Sequence, residues 1–209
     1  MRIIRMQPRR LRSASDTLAA PAYHPAMRVI AGRFRGALLQ APPGRTTRPI
    51  TDQVKESLFN ILGHRLGTLA YLPEFPVLDL FAGSGALGVE SLSRGAASCV
   101  FVEHDRAGVK ALRANIAKLR VGETARLAIE NAWTLRLPPA AGAGYGLVFV
   151  DPPYRAAEDT RRALDLLERI APRVAEGGIV VFRHSALSPP IPDQPMGLRP
   201  VDERLFGKM

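Results

Sequence analysis

The sequence predicts an α/β fold, a doubly wound Rossmann-like parallel sheet, and three observations carry that expectation. The stretch Val77-Leu-Asp-Leu-Phe-Ala-Gly-Ser-Gly-Ala-Leu-Gly88 is an apolar run that breaks into closely spaced glycines and then resumes as a helix. After Pro76, short apolar runs alternate with helical segments in the rhythm of βαβ units. A second apolar run, Leu147-Val-Phe-Val150, leads straight into Asp151-Pro-Pro-Tyr154. With 209 residues the chain can bury one sizeable core and carry a small appendage.

Taken in order, residues 1–26 are rich in Arg, Ala, Ser and Pro, lack an apolar period, and predict a disordered leader, either transit-like or upstream of a start at Met27. Residues 27–65 form a basic unit. Its first part, Arg28-Val-Ile-Ala-Gly through Arg33 and Arg35, predicts two short strands around a glycine turn. Pro42 to Pro49 follows as a loop presenting Arg45 and Arg48. Thr51 or Asp52 caps a helix with Val54, Leu58, Ile61 and Leu62 on its apolar face, which leaves Lys55 and Glu56 on the solvated side.

Residues 66–209 form the main domain. Strands are expected over 77–81, 98–102 and 125–130, with helices over about 86–94 and 106–119 between them. A Pro, Ala and Gly loop spans 137–146. A strand at 147–150, a helix over roughly 157–174 and a strand at 178–182 complete the alternation. A last strand is expected around 199–206, and there the chain stops.

Charge is unevenly spread. Residues 1–65 hold twelve Lys or Arg against three Asp or Glu, whereas the remainder holds seventeen against sixteen. A basic front end before a nearly neutral domain predicts a polyanionic partner, with RNA or DNA favoured over a membrane because no long amphipathic stripe accompanies it. The single cysteine, Cys99, falls in a predicted buried strand, which fits a core position and a reducing cytoplasm. No apolar run approaches the length that spans a bilayer.

Gly83, Gly85 and Gly88 satisfy the dinucleotide spacing G-x-G-x-x-G, and Glu103, at the end of the next strand, suits the hydroxyls of an adenosine ribose. These residues leave a nicotinamide cofactor and S-adenosylmethionine both open. A carboxylate within a buried strand is costly, so Asp79 is expected to orient the loop or its ligand. Asn131, after the third strand, suits a purine edge.

Asp151-Pro152-Pro153-Tyr154 chooses between the two cofactors. Paired prolines restrict the backbone and remove donors, exposing carbonyl acceptors beside a carboxylate. Such a corner accepts both hydrogens of an exocyclic amino group while Tyr154 stacks on the base. Hydrogen bonds of that kind favour a pyramidal nitrogen whose lone pair can face a methyl donor, an arrangement that needs no metal and that hydride transfer does not use.

From Met27 to about Lys208 the chain resembles the RsmD family of bacterial 16S ribosomal RNA methyltransferases, which act on the exocyclic N2 of a guanine. The matching pieces are Arg28-Val-Ile-Ala-Gly with Arg33 and Arg35-Gly36, Arg48-Pro-Ile-Thr-Asp52 through Lys55-Glu-Ser-Leu-Phe-Asn60, Asp79 to Gly88, Glu103, and Asp151 to Tyr154. The resemblance implies a class I S-adenosylmethionine-dependent fold in which Asp79, Phe81, Gly83, Ser84 and Gly85 cradle the methionine part of the cofactor. It further implies that Glu103 holds the ribose with His104 and Asp105 nearby, and that Asn131 and Ala132 meet the adenine. The amino-terminal hairpin and the Arg48 loop contact RNA or close over the cofactor, which gives roles to Arg28, Arg33, Arg35, Arg45, Arg48 and Lys55 on RNA and to Thr51 on the cofactor. The expected protein is a cytoplasmic monomer acting on 16S ribosomal RNA within a small-subunit particle. A DNA adenine-N6 methyltransferase would share the Asp-Pro-Pro-Tyr corner but usually needs a larger recognition region, and a non-catalytic assembly factor would tolerate loss of Asp151.

Overall fold

The computed structural model describes residues 27–42, 50–153, 159–183, 197–199, 201 and 203. Arg45, Arg48 and Tyr154, the leader and most of the expected last strand lie outside them. Five strands, β1 (Pro76–Leu80), β2 (Ser98–Val102), β3 (Ala125–Ala128), β4 (Tyr145–Val150) and β5 (Val174–Phe182), form one sheet in the order β3-β2-β1-β4-β5. Every pairing is parallel. The order reverses between β1 and β4, and at such a switch point a doubly wound sheet opens a crevice at the carboxyl ends of its strands.

Strand alternation divides the core in two. Val77, Cys99, Phe101, Leu147 and Phe149 point to the face covered by helices α1 (Asp52–Arg65), α2 (Ala86–Ser93) and α3 (Arg106–Leu119). Leu78, Leu80, Val102, Val148 and Val150 point to the face covered by residues 132–137 and helix α4 (Thr160–Ile170). Cys99 is buried, and burial pushes its thiol well above the usual range.

The elements follow the predicted order with local differences. The strand expected over 77–81 stops at Leu80, because Phe81 already has a φ of 62°. The helix expected over 157–174 gives way after Ile170 to a single tighter turn, Ala171–Arg173, in which Pro172 offers no N–H to continue it. β5 starts earlier than expected, and its register on β4 jumps from Tyr145↔Val174 to Leu147↔Ile179 around Gly177 and Gly178. The amino-terminal pair of strands is reduced to one antiparallel bridge, Arg28↔Leu38, flanked by Gly36 N–H to Val29 O at 2.9 Å and Leu39 N–H to Met27 O at 2.7 Å.

Candidate cofactor and base-amino site

Register places the two predicted motifs side by side. Leu80 pairs with Val150, so the glycine turn after β1 and the Asp151 corner after β4 leave the sheet next to each other. Asp79 is 1% exposed, and its Oδ2 accepts the Gly88 N–H at 2.9 Å, tying the end of β1 to the first turn of α2. Burial, aided by the charges of Asp151 and Glu103 and opposed by the Gly88 bond, pushes its carboxyl up to about 7. Asp79 thus ties the glycine turn to α2 from a buried position.

The glycines have different duties. Gly83 sits at φ 55° and a Cβ there would meet nothing within 4 Å, so its open side can admit a ligand against the backbone. Gly85 caps α2 at φ 81°, and a Cβ would collide with Leu112 Cδ1 at 2.5 Å. Gly88 would press a Cβ on Phe101 Cε1 at 2.3 Å. The spacing that reads as one ligand motif is therefore one open position and two packing positions.

Glu103 bridges the turn to β2. Its Oε2 accepts Gly83 N–H at 2.7 Å, while Oε1 accepts the N–H groups of His104 at 2.8 Å and Asp105 at 2.7 Å. A carboxylate has about four acceptor positions, so one remains beside these three bonds. Glu103 can take one ribose hydroxyl in this arrangement rather than both.

Several residues expected at the cofactor also have structural partners of their own. Asp105 caps α3, accepting Gly108 N–H at 2.9 Å, and Thr51 caps α1, accepting Val54 N–H at 3.3 Å. The Ser84 hydroxyl is buried against Met27 Sδ at 3.5 Å, so only its backbone is offered to the turn. Asn131 Oδ1 accepts Trp133 N–H at 3.0 Å in a tight turn, which leaves its amide donor for a purine edge, and the Ala132 side chain is packed in the core. His104 is exposed at the lip of the turn.

Lys55 is a correction. Instead of facing solvent for RNA, it is 0% exposed, donates to Arg28 O, and lies with Nζ 3.4 Å from Glu90 Oε2. Glu90, equally buried, also accepts Ile30 N–H at 2.8 Å, Ala31 N–H at 3.0 Å and Arg94 Nε–H at 2.8 Å. Burial lowers the Lys55 ammonium from its usual range, with Glu90 pulling the other way. The motif residue anchors the basic hairpin, and Arg28, Arg33 and Arg35 remain exposed on it. Arg28 also pairs with Asp52 at 2.7 Å, and Arg33 lies 4.4 Å over the Phe34 ring.

Two residues that the sequence reading missed complete the site. Arg183 follows β5, and its Nε lies 2.7 Å from Asp151 Oδ1. Because Val150 and Phe182 are register partners, the next residue on each strand meets the other, a neighbour relation that a strand prediction alone does not contain. Burial pushes the Asp151 carboxyl up from its ordinary value and Arg183 draws it down. Pro152 is buried and Pro153 exposed at this corner. Trp133 packs on Phe81 with ring centroids 4.8 Å apart, while Arg162 lies 4.5 Å from its ring centroid and Arg169 donates to its carbonyl. Phe81 is thereby fixed where the chain turns from β1 into the glycine loop.

The chain is similar to several known proteins in sequence and in fold. The YlbH protein of Bacillus subtilis is 38% identical over 159 residues, covering 76% of this chain and 82% of that one. The ribosomal RNA small subunit methyltransferase D of Escherichia coli is 42% identical over 129 residues, 62% of this chain and 61% of that protein, so the match spans less than two thirds of it. Among solved structures, a conserved hypothetical protein of Streptococcus pyogenes superposes with a TM-score of 0.60 at 28% identity, covering 74% of this chain and 89% of that one. The yhhF structure of Escherichia coli gives 0.53 at 37% identity, with 75% of each chain covered. The fold is the Rossmann-like fold of class I methyltransferases. The profile of the family described as Conserved hypothetical protein 95 matches residues 27–209, and the chain belongs to that family, the RsmD family.

Proposed function

We propose that this protein is a cytoplasmic ribosomal RNA methyltransferase that moves a methyl group from S-adenosylmethionine to the exocyclic N2 of a guanine in small-subunit RNA. The observation that carries the reading is the adjacency of Asp151 to the glycine turn, set by the Leu80↔Val150 register. The curated relative named ribosomal RNA small subunit methyltransferase D supports the substrate class. The open Gly83, the remaining acceptor position of Glu103 and the amide donor of Asn131 suit the methionine, ribose and adenine parts of the cofactor in turn.

When bound, S-adenosylmethionine supplies a methyl group on a positively charged sulfur. The protein's part is positioning and charge. Asp151 Oδ1 is held by Arg183, and we assign Oδ2 and the carbonyl of Pro152 as the two acceptors for the amino hydrogens of the base. The nitrogen becomes more acidic as it is alkylated, so Asp151 need only receive or relay its proton. Tyr154 is assigned the stacking role on the base. Reaching N2 requires the guanine to leave its stack, which confines the substrate to loops or openable sites.

The test is methylation of small-subunit particles lacking the modification, read by nucleoside mass spectrometry. N2-methylguanine in the RNA is the expected product. N6-methyladenine, or no product from either particles or free RNA, would overturn the assignment.

A further inference from the structure

The near-balance of charge beyond residue 65 conceals a segregated face. From Arg106 to Arg120 the chain carries Arg106, Lys110, Arg113, Lys118 and Arg120 and no acidic residue. Helical periodicity puts Arg106, Lys110 and Arg113 on one side of α3, and all three are exposed. None of the three has an acidic partner among the described residues. They line a groove of about 350 Å³ together with His104, Val109 and Ile129, and Ile129 is 50% exposed. A half-exposed isoleucine ringed by cations is a wasteful solvent surface, but it is a suitable floor for an unstacked base flanked by phosphates.

The two ends of the groove give it direction. At the carboxyl end of α3, Lys118 Nζ donates to Leu38 O at 2.6 Å, and Asn115 exchanges bonds with the backbone of Gln40 at 2.8 and 3.0 Å. The basic hairpin is therefore stitched to this helix. At the amino end lies His104, next to Glu103 and the glycine turn. Arg106 and Arg113 stand seven positions apart on α3, a rise of about 10 Å, which is long enough to follow consecutive phosphates of one strand.

We infer that the outer face of α3, with Arg106, Lys110 and Arg113 around Ile129, is a second RNA-binding surface that holds a single-stranded segment between the amino-terminal hairpin and the cofactor site. This rests on the proposed RNA substrate. Arg106, Lys110 and Arg113 take phosphates, and a base lies on Ile129 and Val109.

The test uses the full chain with all three residues changed to Gln (Arg106→Gln, Lys110→Gln, Arg113→Gln), and a single Lys110→Glu variant in case the triple change lowers yield. Binding to small-subunit RNA is measured by fluorescence anisotropy across a salt series. The expected result is roughly tenfold or greater weakening and a salt slope shallower by about two, since each single-strand phosphate contact contributes about 0.7. S-adenosylmethionine affinity by calorimetry should match that of the unsubstituted protein. Variants that bind RNA with unchanged affinity and slope remove this surface while leaving the proposed function standing. If the unsubstituted protein shows no salt-dependent RNA binding, both fall.

Discussion

Arg183 Nε lies 2.7 Å from Asp151 Oδ1, joining the residue after β5 to the carboxylate that the sequence assigns to the substrate base. Burial favours the neutral carboxyl and the guanidinium favours the charged one, so Arg183 holds Asp151 toward the state that accepts hydrogen bonds. Arg183→Gln removes that opposing charge, and the Asp151 pKa then rises. The acidic limb of the kcat profile should move to higher pH, with turnover near neutrality down roughly tenfold or more and recovering in alkali. Arg183→Lys should restore part of the shift. Profiles that superpose on the original would show that Arg183 does not set this charge.

The glycines separate binding from packing. Gly83→Ala introduces a Cβ into open space at a φ of 55°, with a strain of roughly 1–2 kcal/mol, so the fold survives while cofactor affinity falls by at least tenfold. Gly88→Ala drives its Cβ into Phe101 and Cys99 in the core and should cost about 1–3 kcal/mol of stability. Calorimetric titration separates the two, because the folded Gly88→Ala variant should bind the cofactor normally and Gly83→Ala should not. Normal binding by Gly83→Ala would remove its assignment to the ligand.

What the sequence disclosed follows from what sequence patterns encode. Apolar period and glycine spacing reveal strands, turns and the chain order of the sheet, and for that reason Asp79, Gly83, Glu103 and Asp151 could be singled out. Pairings between distant elements leave no such trace. Lys55 looks solvated from helical period alone because its partner, Glu90, is an acidic residue within a short apolar helix 35 positions away. Arg183 is likewise ordinary until the β4–β5 register is known. Summed charge failed on α3 for a related reason, since addition discards which side of a helix each charge occupies.

The buried charge cluster should reveal itself in stability. Glu90→Gln leaves Lys55 and Arg94 facing a neutral partner in a site without water access, which should cost about 3–5 kcal/mol in urea unfolding. Lys55→Met is milder, at roughly 1–3 kcal/mol, because Glu90 keeps Arg94 and two backbone donors while Arg28 O loses its partner. Since Lys55 touches no solvent, its replacement should leave the salt slope of RNA binding unchanged, whereas replacing Arg33 and Arg35 should reduce it. A reduced slope for Lys55→Met at intact stability would return Lys55 to the RNA surface.

Asp79 makes stability depend on pH with a definite sign. Its carboxyl, ordinarily near 3.8, is pushed up to about 7 by burial, so between these values the folded chain holds a proton that the unfolded chain releases. Stability from this group is therefore undiminished in acid, declines as pH rises from about 4 to about 7, and is level above that. Asp79→Asn keeps an oxygen acceptor for Gly88 N–H but cannot ionise. The stability of the variant relative to the original should climb across that interval by roughly 3–5 kcal/mol. Urea unfolding at pH 4 and pH 8 measures most of this difference, and a difference that stayed constant would mean that Asp79 is charged in the folded protein throughout, held by donors beyond the Gly88 amide.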